Sequence, residues 1–227
     1  MKSITTLVTI LAALAVLLTT ASAADWPTWR GPHYDGSTTS EKPLPVKFDQ
    51  EKNVKWMADL PGMGASTPII IGDRIFLSSV VVTDKKAGKG RLLALCLNRS
   101  DGKLMWKHEA GSGYRPGKGD GNDFQLDGKT TYASPSAVSD GERVIFFYGN
   151  GDLVSYDLGG KEQWRRNIQK DYGDFTFQWT FSSTPTLYDG KLYLAVLQRD
   201  EITHGRGKAN NPSFLLCMDP ANGKTVW

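Results

Sequence analysis

Cysteine and histidine are both scarce in this chain, and no apolar run beyond its first residues is long enough to cross a bilayer. The two cysteines, Cys96 and Cys217, give no metal-ligand spacing, and His33, His108 and His204 lie far apart in sequence. We therefore expect no metal site. No Gly-x-Ser-x-Gly elbow and no His-Glu-x-x-His signature occurs, which removes the best-marked hydrolase and metalloprotease classes. Gly111-Ser112-Gly113 lacks the spacing and the βαβ surroundings of a dinucleotide fingerprint. Asp120, Asn122, Asp123 and Asp127 are rich in oxygen donors but lack the helices and the terminal Glu of an EF-hand. An excess of one charge is missing too: the net charge is +3, and losing Lys2 with an N-terminal signal leaves 3 − 1 = +2. That balance argues against a nucleic-acid partner.

What the N-terminus does hold is a secretory pattern. Lys2, an apolar stretch over residues 7–18 and Ala21-Ser22-Ala23 read as a signal peptide spanning residues 1–23, cleaved before Ala24; the other reading is an uncleaved anchor. With cleavage, no transmembrane span remains, and the mature chain is exported, periplasmic or extracellular.

The mature chain repeats itself. Trp106, Trp164 and Trp227 each close a segment that opens on Ser-Pro or Ser-Thr-Pro. Two apolar runs split by a Gly/Asp turn follow, then a third apolar run and a Gly-Lys turn. The tryptophan spacings are 58 and 63 residues, longer than most propeller repeats, with the surplus gathered in a few loops. Runs such as Val144-Ile145-Phe146-Phe147-Tyr148 are short, rich in β-branched and aromatic residues and bounded by turn pairs, so they predict strands. No persuasive helical stripe competes with them. They are apolar on successive residues, as strands covered on both faces are. Pro at a strand's start costs little, because the missing N–H is not needed there. The expected fold is all-β: a β-propeller of four-stranded antiparallel blades, about three of them, at residues 54–109, 132–167 and 180–227. Residues 24–53 are an N-terminal segment that can supply the outer strand of the closing blade.

The stretches 96–106 and 217–227 resemble the tryptophan-docking motif of the PQQ-like (quinoprotein alcohol dehydrogenase-like) β-propeller repeat family. Asp219, Gly223 and Trp227 match its pattern, Cys replaces Ala in both copies, and Asn98 replaces Asp in the first. The copy at 155–164 is one residue short. Asp25-Trp26-Pro27-Thr28-Trp29-Arg30-Gly31-Pro32 looks like the opening of secreted bacterial members of the family. Because Cys96 and Cys217 occupy one motif position two blades apart, they read as core thiols rather than a disulfide. Asn98-Arg99-Ser100 fits a glycosylation sequon but lies in a docking turn of a bacterial-looking chain, and is discounted. Three blades do not close a ring, so the chain reads as an N-terminal fragment whose remaining blades lie in a missing C-terminal part; an assembly of arcs is the other option.

Up-and-down blades put the second-to-third-strand loop and the blade-to-blade loop at one end. All the long insertions, at 82–90, 107–132, 167–180 and 199–212, fall there. Such loops on a rigid frame are where ligand residues sit. The candidates are Lys85, Lys86, Arg115, Arg199, His204 and Arg206 as a basic rim for an anionic ligand or polysaccharide, with ordinary solvated charge as the plain alternative. Trp179 is either a core residue or a stacking platform. No catalytic residue is assigned. Two functions follow: an exported, non-catalytic scaffold binding a protein, peptide or carbohydrate, or a dehydrogenase using pyrroloquinoline quinone with Ca²⁺. The family resemblance alone implies the second, and no quinone-site residue carries over. The adjacent Cys-Cys pair of many quinoprotein alcohol dehydrogenases is absent. The resemblance also includes an outer-membrane assembly factor, although this chain has no Cys after its signal for a lipid anchor.

Overall fold

In a computed structural model of the chain, residues 24–38, 44–115, 130–176, 180–198, 200–202 and 206–227 are described. They are almost entirely strand and turn. The first sheet is β1 (Ile69–Ile71), β2 (Arg74–Asp84), β3 (Lys89–Asn98) and β4 (Leu104–Ser112). The second is β5 (Val138–Ser139), β6 (Arg143–Phe147), β7 (Asp152–Asp157) and β8 (Glu162–Asn167). The third is β9 (Thr186–Tyr188), β10 (Lys191–Val196) and β11 (Phe214–Met218). Each is an antiparallel meander in chain order, and together they form an arc of a β-propeller. Beyond β11 the backbone turns back, with Val226 N–H donating to Cys217 O (2.8 Å) and Cys217 N–H to Trp227 O (3.0 Å).

Blade-on-blade packing explains why the strands are apolar on successive residues. One cluster joins the first two blades through Phe76, Val80, Ala94 and Cys96 against Val144, Phe146, Val154 and Tyr156. A second joins the next two through Ile145, Phe147 and Leu153 against Leu192, Leu194 and Leu216. Neighbouring residues of β6 thus point into different interfaces. Cys96 and Cys217 are buried and unbridged, and burial raises the Cys96 thiol to about 12.

The tryptophans lock each blade to the next. Trp106 donates its indole N–H to Leu158 O (3.2 Å) and its ring lies against Gly160; Trp164 does the same to Pro220 O (2.8 Å) and Gly223. Trp56 repeats the contact one blade earlier, on Arg99 O (2.9 Å) and Gly102. The three glycines have φ of 72°, 96° and 70°, and a Cβ there would approach the ring to 2.4–2.9 Å, so only glycine fits. Cys96 pairs with Trp106 and Ser155 with Trp164. The register is therefore kept although the second turn is shorter. Trp227 is 61% exposed, with its ring 6.1 Å from that of Tyr193.

The first strands of successive blades lie against one another at the axis. Hydroxyls beside the prolines connect them: Thr67 N–H donates to Ser136 Oγ (2.8 Å), and Ser136 N–H to Thr184 Oγ1 (3.1 Å). Residues 25–34 run along these innermost strands at the end with the tight turns. Trp26 exchanges two backbone bonds with Ile70 (2.8 and 2.9 Å), Pro27 O accepts from Ser139 N–H (3.0 Å), and Tyr34 OH donates to Leu187 O. They form a strap touching all three blades.

Two insertions differ from their reading as loops. Residues 82–90 are mostly strand: β2 runs to Asp84 and β3 starts at Lys89, because β-branched Val80, Val81 and Val82 pair with Leu92, Arg91 and Gly90. β4 likewise continues to Ser112, against Arg91. The first blade thus projects well past the second at the loop-rich end.

Candidate functional site

The projecting hairpin ends at Lys85 and Lys86, both exposed, with Asp84 Oδ1 accepting from Ala87 N–H (3.0 Å) to fix the turn. From this tip a lateral ladder crosses the loop-rich end. Tyr114 N–H donates to Gly88 O, Tyr132 N–H to Tyr114 O, and Gly149 N–H to Tyr132 O, each at 2.8 Å. Four sequence-distant segments are thereby held edge to edge, so the residues between them sit on a fixed ridge.

Arg115 is carried on this ridge, its guanidinium over the Tyr114 ring at 5.3 Å. Tyr132 packs against Gly113 and Gly149, and burial pushes its phenol to about 12. Arg206 approaches from the third blade. Burial lowers its pKa, and the nearby Tyr132 and Asp174 counteract that shift. Lys85, Lys86, Arg115 and Arg206 therefore belong to one side of the molecule, three of them tied to the same ladder. Arg199, His204 and Trp179 lie outside the described residues, as do Asp120, Asn122, Asp123 and Asp127 and the segment 1–23.

Sequence reasoning missed the polar frame beneath this surface. Asp152 accepts from Asn150 Nδ2 (2.7 Å) and Asn167 Nδ2 (2.8 Å), while Asn167 Oδ1 caps the single turn of helix α1 (Ile168–Tyr172) through Lys170 N–H (3.0 Å). Gln169 bridges Asn150 O (2.8 Å) and Phe175 N–H (2.7 Å). Gln198, buried, donates to Tyr172 O (2.7 Å) and Gly173 O (3.0 Å). Isolated amides in loops carry no periodic signal. The Asn-x-Asp spacing of 150 and 152 is the one local turn signal that could have pointed here.

The opposite end is trimmed. Its turns carry Lys103, Lys161 and Lys224, each exposed on a Gly-containing hairpin, and the strap of residues 25–34. A cleft of about 270 Å³ lies there between the strap and the second and third blades, lined by Tyr34, Asp140, Tyr188 and Asp189. Among the described residues no group of three or more His, Cys, Asp or Glu is placed to hold a metal ion. No helix among them is long and apolar enough to cross a membrane, which says nothing of membrane β-barrels.

The chain's likeness to known proteins agrees with this architecture. It is 25% identical over 178 residues to the polyvinylalcohol dehydrogenase of Pseudomonas sp, an alignment covering 77% of this chain and 24% of that protein. Among solved structures, the quinohemoprotein alcohol dehydrogenase from Comamonas testosteroni superposes with a TM-score of 0.52 at 15% identity, covering 92% of this chain and 28% of that one. BamB from Moraxella catarrhalis gives 0.43 at 17% identity, covering 76% and 42%. The chain spans about a quarter of the length of the two dehydrogenases. At 15% identity the Comamonas superposition speaks to the fold alone. A family profile described as outer membrane protein assembly factor BamB matches residues 30–227. With that match over tryptophan-locked blades, the chain belongs to the PQQ-like β-propeller family.

Proposed function

We propose that the chain is the binding arc of an exported, non-catalytic propeller scaffold whose loop-rich end takes a protein, peptide or carbohydrate partner. The observation that carries this reading is the lateral ladder from Gly88 through Tyr114 and Tyr132 to Gly149. It turns elaborated loops into a fixed surface carrying Lys85, Lys86, Arg115 and Arg206, whereas the other end has tight turns and a strap. Preorganised cationic and aromatic side chains lower the ordering cost of association. Export rests on the signal pattern of residues 1–23. The apolar side of the third blade, where Trp227 lies exposed, takes a further blade in the same way that Trp106 takes the second. Trp56 plays that part for the closing blade.

The test compares two sets of substitutions in the full-length protein. Lys85, Lys86 and Arg115 changed to Ala remove three cations from the loop-rich end; Lys103, Lys161 and Lys224 changed to Ala remove three from the trimmed end. Capture of envelope proteins or polysaccharide by the immobilised protein falls several-fold with the first set and stays level with the second. Equal losses would overturn the assignment of the face.

A second reading, a dehydrogenase using pyrroloquinoline quinone and Ca²⁺, is favoured by the name of the Pseudomonas relative. Such chemistry needs a metal, a carboxylate base and a planar pocket together. No three-member acidic or histidine cluster occurs among the described residues, so none of them is assigned to the metal. We derive no step through the quinone. Titrating the full-length protein with quinone and Ca²⁺ while following cofactor absorbance and alcohol-dependent dye reduction separates the readings: saturable binding with turnover would displace the scaffold.

A further inference from the structure

At the loop-rich end, between the segment following α1 and the chain leading into β11, lies a cleft of about 340 Å³. It is lined by Tyr172, Gly173, Asp174, Gly207, Lys208 and Asn211. Its size falls in the range of small-ligand sites, ~300–1,000 Å³.

The walls are held in place. Tyr172 OH contacts Thr225 Oγ1 (2.7 Å) and accepts from Arg166 Nη2 (3.1 Å), and the Arg166 guanidinium lies 5.6 Å from the centre of its ring. Phe214 meets the same ring edge-on at 5.3 Å. On the other wall Gly207, with φ of 81°, sits so close to Thr176 that a Cβ would fall 1.8 Å from its methyl carbon. Under the floor, Gln198 Nε2 is committed to Tyr172 O and Gly173 O, and its buried Oε1 has no hydrogen-bond partner among the described residues. A buried amide oxygen in that condition calls for a donor such as an ordered water beneath the cleft.

The lining carries both signs of charge. It offers one carboxylate, Asp174, which interacts electrostatically with the nearby Arg206, and one ammonium, Lys208. An anion meets the Asp174 carboxylate, and a cation meets Lys208 with Arg206 nearby. A ligand of either sign therefore meets a like charge. A hydroxyl satisfies both groups, donating to Asp174 and accepting from Lys208, while Asn211 adds an acceptor oxygen beside the Nδ2 it spends on Tyr172 O (3.3 Å). A peptide main chain finds no ladder to join, because none of the lining residues belongs to a strand. We propose that this cleft binds a neutral polyhydroxylated ligand, a saccharide unit, through Asp174, Lys208 and Asn211. The proposal rests on the loop-rich end being the binding end and names one ligand class for it.

The experiment titrates the full-length protein with maltopentaose, an acidic galacturonate oligomer and a cationic chitosan oligomer, read by saturation-transfer NMR and calorimetry. Maltopentaose binds, and Asp174→Ala and Asn211→Ala each weaken it at least five-fold, while Lys103→Ala at the trimmed end leaves it unchanged and all variants keep the parent's circular dichroism. No saturable binding of maltopentaose at millimolar concentration overturns the proposal, as does a preference for either charged oligomer. Binding untouched by Asp174→Ala and Asn211→Ala overturns it too. Partner capture that still responds to the Lys85, Lys86 and Arg115 substitutions when sugar binding is absent would show that the scaffold reading stands while this one fails.

Discussion

At the scale of single residues, the glycine under each indole decides how blades join. Gly160→Ala places a methyl group 2.9 Å from the Trp106 ring at a left-handed backbone position, and costs about 2–3 kcal/mol in urea unfolding of the full-length protein. Trp106→Ala costs about 3 kcal/mol, and because the two remove one contact, the double variant loses clearly less than their sum. The motif that revealed the repeat made these residues legible in advance: Trp106, Trp164 and Gly223 stand out by spacing. Trp56 was harder to place, since no Ser-Pro opening precedes it and only its contact with Gly102 shows its equivalence. Buried phenols supply a second residue-scale expectation. Burial raises the Tyr132 phenol to about 12 and drives that of Tyr148 well upward, against an unfolded value near 10. The folded state holds these protons more tightly, so their stabilisation is complete below about pH 10 and is lost as pH climbs through 12. The Cys96 thiol, about 12, acts in the same direction. Circular dichroism and the part of the tyrosinate absorbance that Tyr132→Phe and Tyr148→Phe remove therefore change together in one alkaline step, and Tyr132→Phe moves its midpoint to higher pH. Separate transitions for the two signals would contradict this coupling.

At the scale of elements, the blade openings do more than start strands. The Ser-Pro and Ser-Thr-Pro repeats were readable as strand openings because Pro tolerates a position without a ladder N–H. The hydroxyls beside Pro135 and Pro185 turn out to bond to the preceding blade, something a repeat pattern shows only as recurrence. Ser136→Ala leaves Thr67 N–H without its acceptor, and Thr184→Ala does the same to Ser136 N–H. Each costs ~1–2 kcal/mol, measured by denaturant titration, and an effect under a few tenths would show that water replaces the bond fully. The projecting hairpin of β2 and β3 was legible as an insertion but not as strand, because Thr83-Asp84-Lys85-Lys86 looks polar and turn-like while its pairing is settled by Val80 to Val82 upstream. Loop geometry on the binding end was the least readable part. The amides of Asn150, Asn167, Gln169 and Gln198 act through bonds to distant backbone, which no local pattern encodes.

At the scale of the whole molecule, the second blade is buried on both faces and its neighbours are not. Hydrogen exchange followed by mass spectrometry on this 227-residue chain should find β6 and β7 the slowest to exchange and β11, whose Leu215 is exposed, among the fastest; uniform protection would contradict the arc. An all-β ring segment was readable because every level of the sequence agreed on it, from turn pairs to indole spacing. The strap was not, since residues 25–34 hold no strand pattern and find all of their partners only once three blades exist. That has a consequence for the order of assembly. Trp26 can pair with Ile70 as soon as the first blade forms, but Tyr34 reaches Leu187 across 153 positions, so its end of the strap is among the last parts to find its place. A chain that emerges N-terminus first must carry that end unplaced until the third blade has formed, and its docking then reports that the third blade has joined the arc.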